Sequence, residues 1–156
     1  ALSLVIDDVI LFRINEGLST KKDLKINTNS ISSILKKIKS LSVVHTKRIK
    51  AELDNKVKQY EINIDKSRFE QEVFYYLEKI DINEELIRLD SHLKYFNDIL
   101  ENKEIEKGKK LGFISQEIGR EINTIGSKAN FAPMQKLVVQ MKDDLEKIKE
   151  QLLNIL

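Results

Sequence analysis

Residues 111–125 read LGFISQEIGREINTI, and this stretch decides the fold class. Its apolar residues recur every three or four positions, which is the period of an amphipathic α-helix and not that of a β-strand. We therefore predict a helix that buries one face against other helices. The apolar stripe consists of Leu111, Ile114, Ile118, Ile122 and Ile125.

The sequence after this stripe predicts a loop and one last helix. Residues 127–132 are expected to form the loop, and Pro133 suits the first turn of a helix, where its missing N–H is not needed. The helical spacing then continues to the end of the chain, at Met134, Leu137, Met141, Leu145, Ile148, Leu152 and Ile155.

Two shorter helices are predicted before the stripe, each opened by a capping box. In the first, Ser67 would accept a free backbone N–H while Glu70 reaches back to the other end of the box. Asp81 and Glu84 repeat the arrangement and open the second, which runs to Leu100.

A much longer helix is predicted from Asp23 to about Tyr60, where the three- and four-residue spacing is not interrupted. At ~1.5 Å per residue it would exceed about 50 Å, a length typical of arms and oligomerisation elements. Residues 27–30 are its weakest part. Before it, a separate helix is expected to end at Gly17, with Ser19 and Thr20 as a new N-cap. Residues 60–64 alternate like a strand, but we expect an extended linker there.

Together these elements predict an all-α fold, in which a long helical arm is followed by an antiparallel bundle of amphipathic helices. We assign residues 1–62 to the arm and oligomerisation region. Residues 63–156 form a C-terminal helical domain that carries the expected active site. The chain begins at Ala1 in the middle of a pattern, so we expect a fragment that lacks an N-terminal portion.

Composition excludes several functional classes. The 156 residues are 41% hydrophobic and 33% charged, with a net charge of only +2, which is not the even positive charge of a histone-like protein. The absence of cysteine excludes disulfides and thiolate chemistry, and it fits a reducing cytoplasm. No apolar stretch is long enough to cross a membrane. No phosphate-binding glycine loop or nucleophilic serine motif occurs.

Polar side chains line one edge of the predicted fourth helix. At 100° per residue, Glu117, Glu121, Thr124 and Lys128 fall within a sector of ~60° beside the apolar stripe, and Arg120 lies just outside it. Two carboxylates one turn apart could share Mg²⁺ or Mn²⁺, and the cations could hold a phosphate. On spacing alone, the simpler interpretation is a solvated face whose ion pairs contribute only ~0.2–0.5 kcal/mol each.

The predicted third helix carries a similar sector, formed by Asp81, Glu85, Arg88 and His92. A neutral imidazole there could bind a metal or act as a general base. The alternative is a histidine that its acidic neighbours hold at a seam between helices. His45 has no acidic residue nearby in sequence and is expected at the surface or in a seam. Basic clusters at residues 36–39, 47–50 and 107–110 could contact RNA phosphates. For the first two a solvated helix face is the simpler interpretation, whereas residues 107–110 directly precede the polar stripe.

Several segments, in order, resemble the YicC family of bacterial endoribonucleases. They are Arg13-Ile-Asn-Glu16-Gly17, RFEQEV at residues 68–73, DINEELIRLDSH at 81–92, KGKKLGF at 107–113, the polar stripe from Gln116 to Lys128, and KEQLLNI at 149–155. The resemblance covers nearly the whole chain and is most specific in residues 68–128.

The resemblance implies a metal-dependent endoribonuclease that uses Mn²⁺ or Mg²⁺ and works as a homo-oligomer, a ring of six. It also implies RNA as substrate, other RNA-decay proteins as partners, and an N-terminal α/β portion that closes an RNA-binding chamber. The carried-over site residues are Glu84, Glu85, Arg88, His92, Gln116, Glu117, Arg120, Glu121, Asn123, Ser127 and Lys128. Among these we expect the catalytic residues and metal ligands to be Glu85, His92, Glu117 and Glu121. RNA would be bound by Arg88, Arg120, Lys128, Ser127 and Asn123, with Lys109 and Lys110 from the adjacent basic cluster.

One departure from the family pattern bears on the metal. Gln140 stands where the family usually has a glutamate, and the loss of a third carboxylate would weaken metal binding. Two other functions therefore stay open, a non-catalytic RNA-binding adaptor and a structural oligomerisation module.

Overall fold

The chain folds into five α-helices without a strand in the part described by the computed structural model, which covers residues 2–59, 65–102 and 107–153. The helices are α1 (Leu2–Gln59), α2 (Lys66–Ile80), α3 (Asn83–Glu101), α4 (Gly108–Lys128) and α5 (Ala132–Leu153). The predicted all-α fold is confirmed. The linker expected at residues 60–64 lies outside the described residues.

Helix α1 is continuous, so the predicted helix end at Gly17 is wrong. The Thr20 hydroxyl does not cap a new helix; it donates to the Glu16 carbonyl oxygen one turn back, at 2.9 Å. A glycine inside a helix costs only about 1 kcal/mol relative to alanine, which the surrounding turns can offset. The weak stretch at residues 27–30 is helical as well. There the Thr28 hydroxyl is fully buried and lies 3.0 Å from the Leu24 carbonyl oxygen and 3.1 Å from Asn97 Oδ1 of α3.

Four of the helices form a closed ring in which each neighbour is antiparallel. Helix α1 packs on α5 and α3, and α4 packs on α3 and α5. The directions follow from contacts between helices and from the element order. Lys21, in the first half of α1, pairs with Glu101 at the end of α3, and the end of α3 is followed in sequence by the start of α4. The middle of α1 is therefore one wall of the bundle. Helix α2 lies outside the ring and packs mainly on α1.

The core lies along the axis of this ring. All five residues of the α4 stripe are buried there, as predicted. Helix α5 contributes the periodic set predicted for it, except that Leu137 is only partly buried and Ile155 is not described. Fully buried side chains from the other two walls include Leu24, Ile31 and Ile38 of α1 and Leu89 and Phe96 of α3.

Two glycines bring α4 close to α5. A β-carbon at Gly119 would lie 3.1 Å from Leu145 Cδ2, and one at Gly126 would lie 3.0 Å from Val138 Cγ1. These glycines are seven residues apart, so they occupy the same face of α4 two turns apart. This close approach sets the distance between α5 and the edge of α4 that carries the polar residues.

The helix starts differ in part from the predicted capping boxes. The cap of α2 is Asp65, whose carboxylate accepts from the backbone N–H groups of Ser67 and Arg68. Ser67 therefore lies inside the helix, because the acidic side chain two residues earlier already accepts those groups. At α3 the predicted box is wrong, because Ile82 occupies the cap position without a side-chain cap, and the Asp81 carboxylate accepts from Asn83 N at 3.0 Å. Pro133 lies in the first turn of α5, as predicted.

Two surfaces expose large apolar side chains. The first part of α1 exposes them all round, and α2 buries none of its residues. No described helix combines the length and apolarity that a membrane crossing needs. The exposed residues are Ile6, Val9, Ile10, Leu11, Phe12, Ile14 and Leu18 of α1, and Phe74, Tyr75 and Tyr76 of α2.

The end of α3 is tied to α1 by ion pairs that predict a pH-dependent stability. Hydrogen bonds from Lys21 and Lys25 lower the pKa of Glu101 to about 2, against a weaker opposing effect of burial. The folded-state pKa lies below the ordinary value of 4.5, so the stabilisation is present above pH 4.5 and is lost as pH falls toward 2.

We expect Glu101→Gln to lower the urea midpoint modestly at pH 7, and we expect the difference from the wild type to shrink as pH falls from 4.5 toward 2. Glu72, an exposed glutamate on α2, forms no ion pair with any described residue, and Glu72→Gln is the control. Equal midpoints for Glu101→Gln and the wild type at pH 7 would show that the tie contributes nothing.

Candidate active site

Arg88 of α3 joins three carboxylates from two helices. Its Nε donates to Glu121 Oε1 of α4 at 3.0 Å, one terminal nitrogen donates to Glu84 Oε2 at 3.1 Å, and the other lies 3.4 Å from Glu85 Oε1. The side chains of Glu85 and Glu121 are only 5% and 7% exposed, whereas that of Arg88 is 47% exposed. The buried groups of the network are therefore the carboxylates of Glu85 and Glu121, and the Arg88 guanidinium lies between them and solvent.

Lys128 completes this charge network. Its Nζ donates to Glu85 Oε1 at 2.8 Å. Burial alone would raise the pKa of Glu85, but the hydrogen bond and charge of Lys128, with the charge of Arg88, outweigh it and lower the pKa below its ordinary value. The hydrogen bond from Arg88 to Glu121 likewise raises the pKa of Arg88. Glu85 and Arg88 are consequently charged at neutral pH.

One atom of the network has no partner among the described residues. Glu85 Oε2 is buried and accepts no hydrogen bond from any of them. A buried carboxylate oxygen without a donor is costly, because it has lost its water and gained nothing in exchange. Such an atom can accept a proton or bind a cation.

The antiparallel packing of α3 and α4 explains why these residues meet. Glu85 and Arg88 are one turn apart at the start of α3, while Glu121 and Lys128 are two turns apart near the end of α4. Because the helices run in opposite directions, the first turns of α3 face the last turns of α4. The network therefore combines residues 33 and 43 positions apart in sequence.

Of the four expected metal ligands, the structure brings Glu85 and Glu121 together. Glu117 lies one turn before Glu121, where its carboxylate is 3.5 Å from Arg120 of the same helix. His92 lies one turn after Arg88, half-buried, and forms no hydrogen bond with the described residues. Nowhere in residues 2–59, 65–102 and 107–153 are three Asp, Glu or His side chains grouped as metal ligands.

The residues expected to bind RNA are distributed more widely. Arg88 and Lys128 belong to the network. Asn123 and Ser127 are exposed on the last turns of α4 and make no hydrogen bond with the network residues that the structure describes. Lys109 and Lys110 are exposed at the opposite end of α4, and at 1.5 Å per residue Lys109 is ~18 Å along the helix from Glu121. Gln140 is exposed on α5, a helix that contributes nothing to the network.

The sequence did not indicate the support that holds the end of α4. Gln135 of α5 donates from Nε2 to the carbonyl oxygens of Gly126 and Ala129, at 2.6 and 2.5 Å, and so satisfies carbonyls that a helix end leaves free. These carbonyls flank Lys128, whose position is thereby fixed. No local pattern reveals such a cap, because its donor comes from the next helix.

His45 of α1 lies in a seam at this same end of the bundle. Its ring stacks on Phe131 with centroids 4.4 Å apart and planes at 11°, and Arg48 lies 5.9 Å from that ring. Burial, and next the charge of Arg48, lower the pKa of His45, against an opposing effect of Glu52. The stack is therefore a contact between a neutral imidazole and an aromatic ring, and it joins α1 to the α4–α5 connection. His45 lies in a seam between helices, which was one of the two expected positions.

Comparison with known proteins places these residues in a family. A family model described as "Endoribonuclease YicC-like, C-terminal" matches residues 34–156. The chain is 35% identical over 162 aligned positions to a protein named probable endoribonuclease YicC of Clostridioides difficile, covering 99% of this chain and 55% of that protein. It is 31% identical to the protein of the same name from Haemophilus influenzae, with 97% and 52% covered. The chain thus spans about half the length of the curated relatives it matches.

Proposed function

Because the chain belongs to the YicC-like endoribonuclease family, we propose that it supplies the cleavage centre of an endoribonuclease that cuts RNA phosphodiester bonds. The observation that carries this proposal is the charge network of Glu84, Glu85, Arg88, Glu121 and Lys128. It places two buried carboxylates beside two cations that reach solvent.

The two cations are suited to the phosphate. Arg88 offers a planar set of donors that matches phosphate oxygens, and Lys128 adds a point charge. Their side chains are 47% and 34% exposed, so an RNA backbone can approach them from solvent without unfolding the network. As phosphate oxygens replace the carboxylate oxygens around the terminal nitrogens of Arg88, the carboxylates of Glu84 and Glu85 lose part of their neutralisation and become stronger bases.

Glu85 is the proposed general base. Its unpartnered Oε2 can accept the proton of the attacking hydroxyl group, either a water or a ribose 2′-OH, while Lys128 holds its other oxygen. Glu121 is proposed to fix Arg88 against the phosphate, since it accepts the Nε–H and leaves the terminal nitrogens free to exchange partners.

We further propose that cleavage requires Mn²⁺ or Mg²⁺, held by Glu85 and Glu121. Oxygen donors suit these ions. A cation on the bare Glu85 Oε2 would take the place of the proton that this oxygen otherwise accepts, so ligand and general base are alternative roles of Glu85. Two protein carboxylates are a small donor set, so phosphate oxygens of the RNA and water would complete the coordination. When bound, the ion would withdraw charge from the phosphoryl oxygens. Glu117 and His92 remain candidate ligands that would have to turn toward the pair.

Assembly into a homo-oligomeric ring of six, in the cytoplasm and with contacts to other RNA-decay proteins, completes the proposal. The exposed apolar residues of α1 and α2 support the oligomer, because a monomer rarely leaves so many large apolar side chains in water. Light scattering on the native full-length protein checks this, and a monomer at micromolar concentration would contradict it.

A non-catalytic RNA-binding role is the second candidate. It is favoured by one observation, namely that Arg88 and Lys128 already neutralise both buried carboxylates. The test is to incubate native full-length protein with single-stranded and hairpin RNA, with Mn²⁺, Mg²⁺ or EDTA. Metal-dependent fragments support the ribonuclease. Salt-sensitive binding that EDTA does not alter, without fragments, supports the binding protein and overturns the cleavage proposal.

A further inference from the structure

A second cationic surface lies on the other side of the first turns of α3. An open groove of about 470 Å³ runs between α1 and the junction of α2 with α3. Residues 39, 42, 43, 46 and 47 form its α1 wall, and this spacing places all of them on one helix face. The opposite wall is residues 80–83 and Leu86. The charge network uses none of these residues.

Cations of the groove are available to a ligand. Lys39 and Lys47 form no ion pair with any residue that the structure describes, whereas Lys21, Lys25 and Lys128 each hold a carboxylate. Without such a partner, an ammonium group keeps its counterions, which a phosphate can displace with a gain in free energy.

Neutral donors accompany the two lysines. The Thr46 hydroxyl and the side-chain amide of Asn83 make no hydrogen bond within the described part of the chain, so both can donate to a phosphate oxygen. Ser42 differs, because its hydroxyl already donates to the Lys39 carbonyl oxygen at 2.9 Å. The one carboxylate in the lining, that of Asp81, is occupied by Asn83 N.

The floor of the groove is apolar, with Val43 half-exposed on one side and Leu86 buried on the other. A wall of cations and donors above an apolar floor fits a unit that has both a charged and an uncharged part. A nucleotide has this character, since its phosphate is anionic and its sugar and base offer less polar surfaces.

The position of the groove relative to the charge network decides the ligand. Leu86 faces the α1 seam, while the adjacent Glu85 faces α4. The groove and the network therefore flank the same two turns of α3, and one extended strand passing over the start of α3 can contact both. A small anion bound in the groove would not reach the charge network, so the closeness of the two sites favours an extended strand as the ligand.

We propose that this groove is a phosphate-binding subsite for single-stranded RNA, which holds the strand a short distance from the cut phosphodiester through Lys39, Lys47, Thr46 and Asn83. This subsite rests on the proposed ribonuclease function. It predicts that RNA long enough to reach the groove binds more tightly than RNA that reaches only the charge network.

The test compares two double variants of the native full-length protein that remove equal charge. Lys39→Ala/Lys47→Ala empties the groove of cations, and Lys22→Ala/Lys142→Ala removes exposed lysines of α1 and α5 that also lack ion pairs among the described residues. Binding of a fluorescent single-stranded RNA is measured by anisotropy in EDTA over a range of salt concentrations. Circular dichroism confirms that both variants are folded.

Loss of two contacts with single-stranded phosphates should reduce the slope of log K against log[salt] by about 1.4 and weaken binding about 25-fold at ~0.1 M salt. The control should keep the wild-type slope. The subsite is overturned if the two double variants have the same slope of log K against log[salt]. This holds whether both slopes are smaller than the wild-type slope or both equal it. Absence of RNA binding by the wild type overturns it as well.

A parallel cleavage assay with Mn²⁺ separates this inference from the function on which it rests. Wild-type cleavage, combined with an unchanged slope in the groove variant, leaves the ribonuclease standing and removes only the subsite. If the subsite is real, the groove variant raises KM and largely retains kcat, because its lysines bind the strand without touching the reacting phosphate.

Discussion

Glu121→Gln is expected to lower the rate of RNA cleavage by the native full-length protein about 10²- to 10⁴-fold, the range found when a positioned acid–base or electrostatic group is removed. Glutamine has the shape of glutamate, and its amide oxygen can still accept from Arg88 Nε. The fold is therefore kept, while the negative charge that fixes Arg88 and the proposed metal is lost.

The matched control is Glu146→Gln, which neutralises an exposed glutamate of α5 whose side chain is 65% exposed and pairs with Lys149. We expect wild-type cleavage from it. Rates are measured on a labelled RNA under single-turnover conditions, so that product release does not hide the chemical step. Wild-type cleavage by Glu121→Gln would remove Glu121 from the site.

Lys128→Met is expected to cause a large loss of stability. It leaves the buried Glu85 carboxylate with only the more distant Arg88 nitrogen at 3.4 Å, at a cost of about 2 kcal/mol. Methionine keeps the apolar stem of lysine, so the change concerns charge more than packing. Urea unfolding of the variant and of the control Lys136→Met, an exposed lysine of α5, measures the difference at pH 7.

The pH dependence of this loss has a definite sign. In the wild type, Lys128 holds the pKa of Glu85 below its ordinary value of 4.5, so that contribution to stability disappears as pH falls through and below 4.5. In the variant, burial becomes dominant and raises the pKa, so protonation of Glu85 relieves the unpaired charge. The difference in the free energy of unfolding between wild type and variant should thus become smaller from pH 7 toward pH 4. A difference that does not change with pH would indicate that lost packing, and not lost charge, destabilises the variant.

The helices could be predicted from the sequence because each buries a face whose period is set by backbone geometry. The stripe from Leu111 to Ile125 is buried as expected. The predicted break at Gly17 failed for a physical reason, since local signals such as glycine and Ser-Thr pairs cost little and the chain can continue through them. The role of Gly119 and Gly126 could not be predicted, because these glycines allow α5 to approach α4 closely and the local sequence does not show which helix packs there.

Half of the candidate site follows from the sequence in the same way. The spacing correctly puts Glu121 and Lys128 on one edge of α4 and Glu85 with Arg88 on one edge of α3. Their pairing across the seam depends on the register of two antiparallel helices, which a one-helix projection does not contain. Hence Arg88 was expected to hold only phosphate, whereas in the folded chain it also joins three carboxylates.

The most direct test of the central claim, that Glu85 and Glu121 serve one cleavage centre, is a double-variant comparison. Single-turnover cleavage rates are measured for Glu85→Gln, Glu121→Gln and the protein with both changes. Residues that act as a unit are not additive, so the double variant should cleave about as slowly as the slower single variant. A double variant whose loss is the product of the two single losses, or one that cleaves at the wild-type rate, would contradict the account.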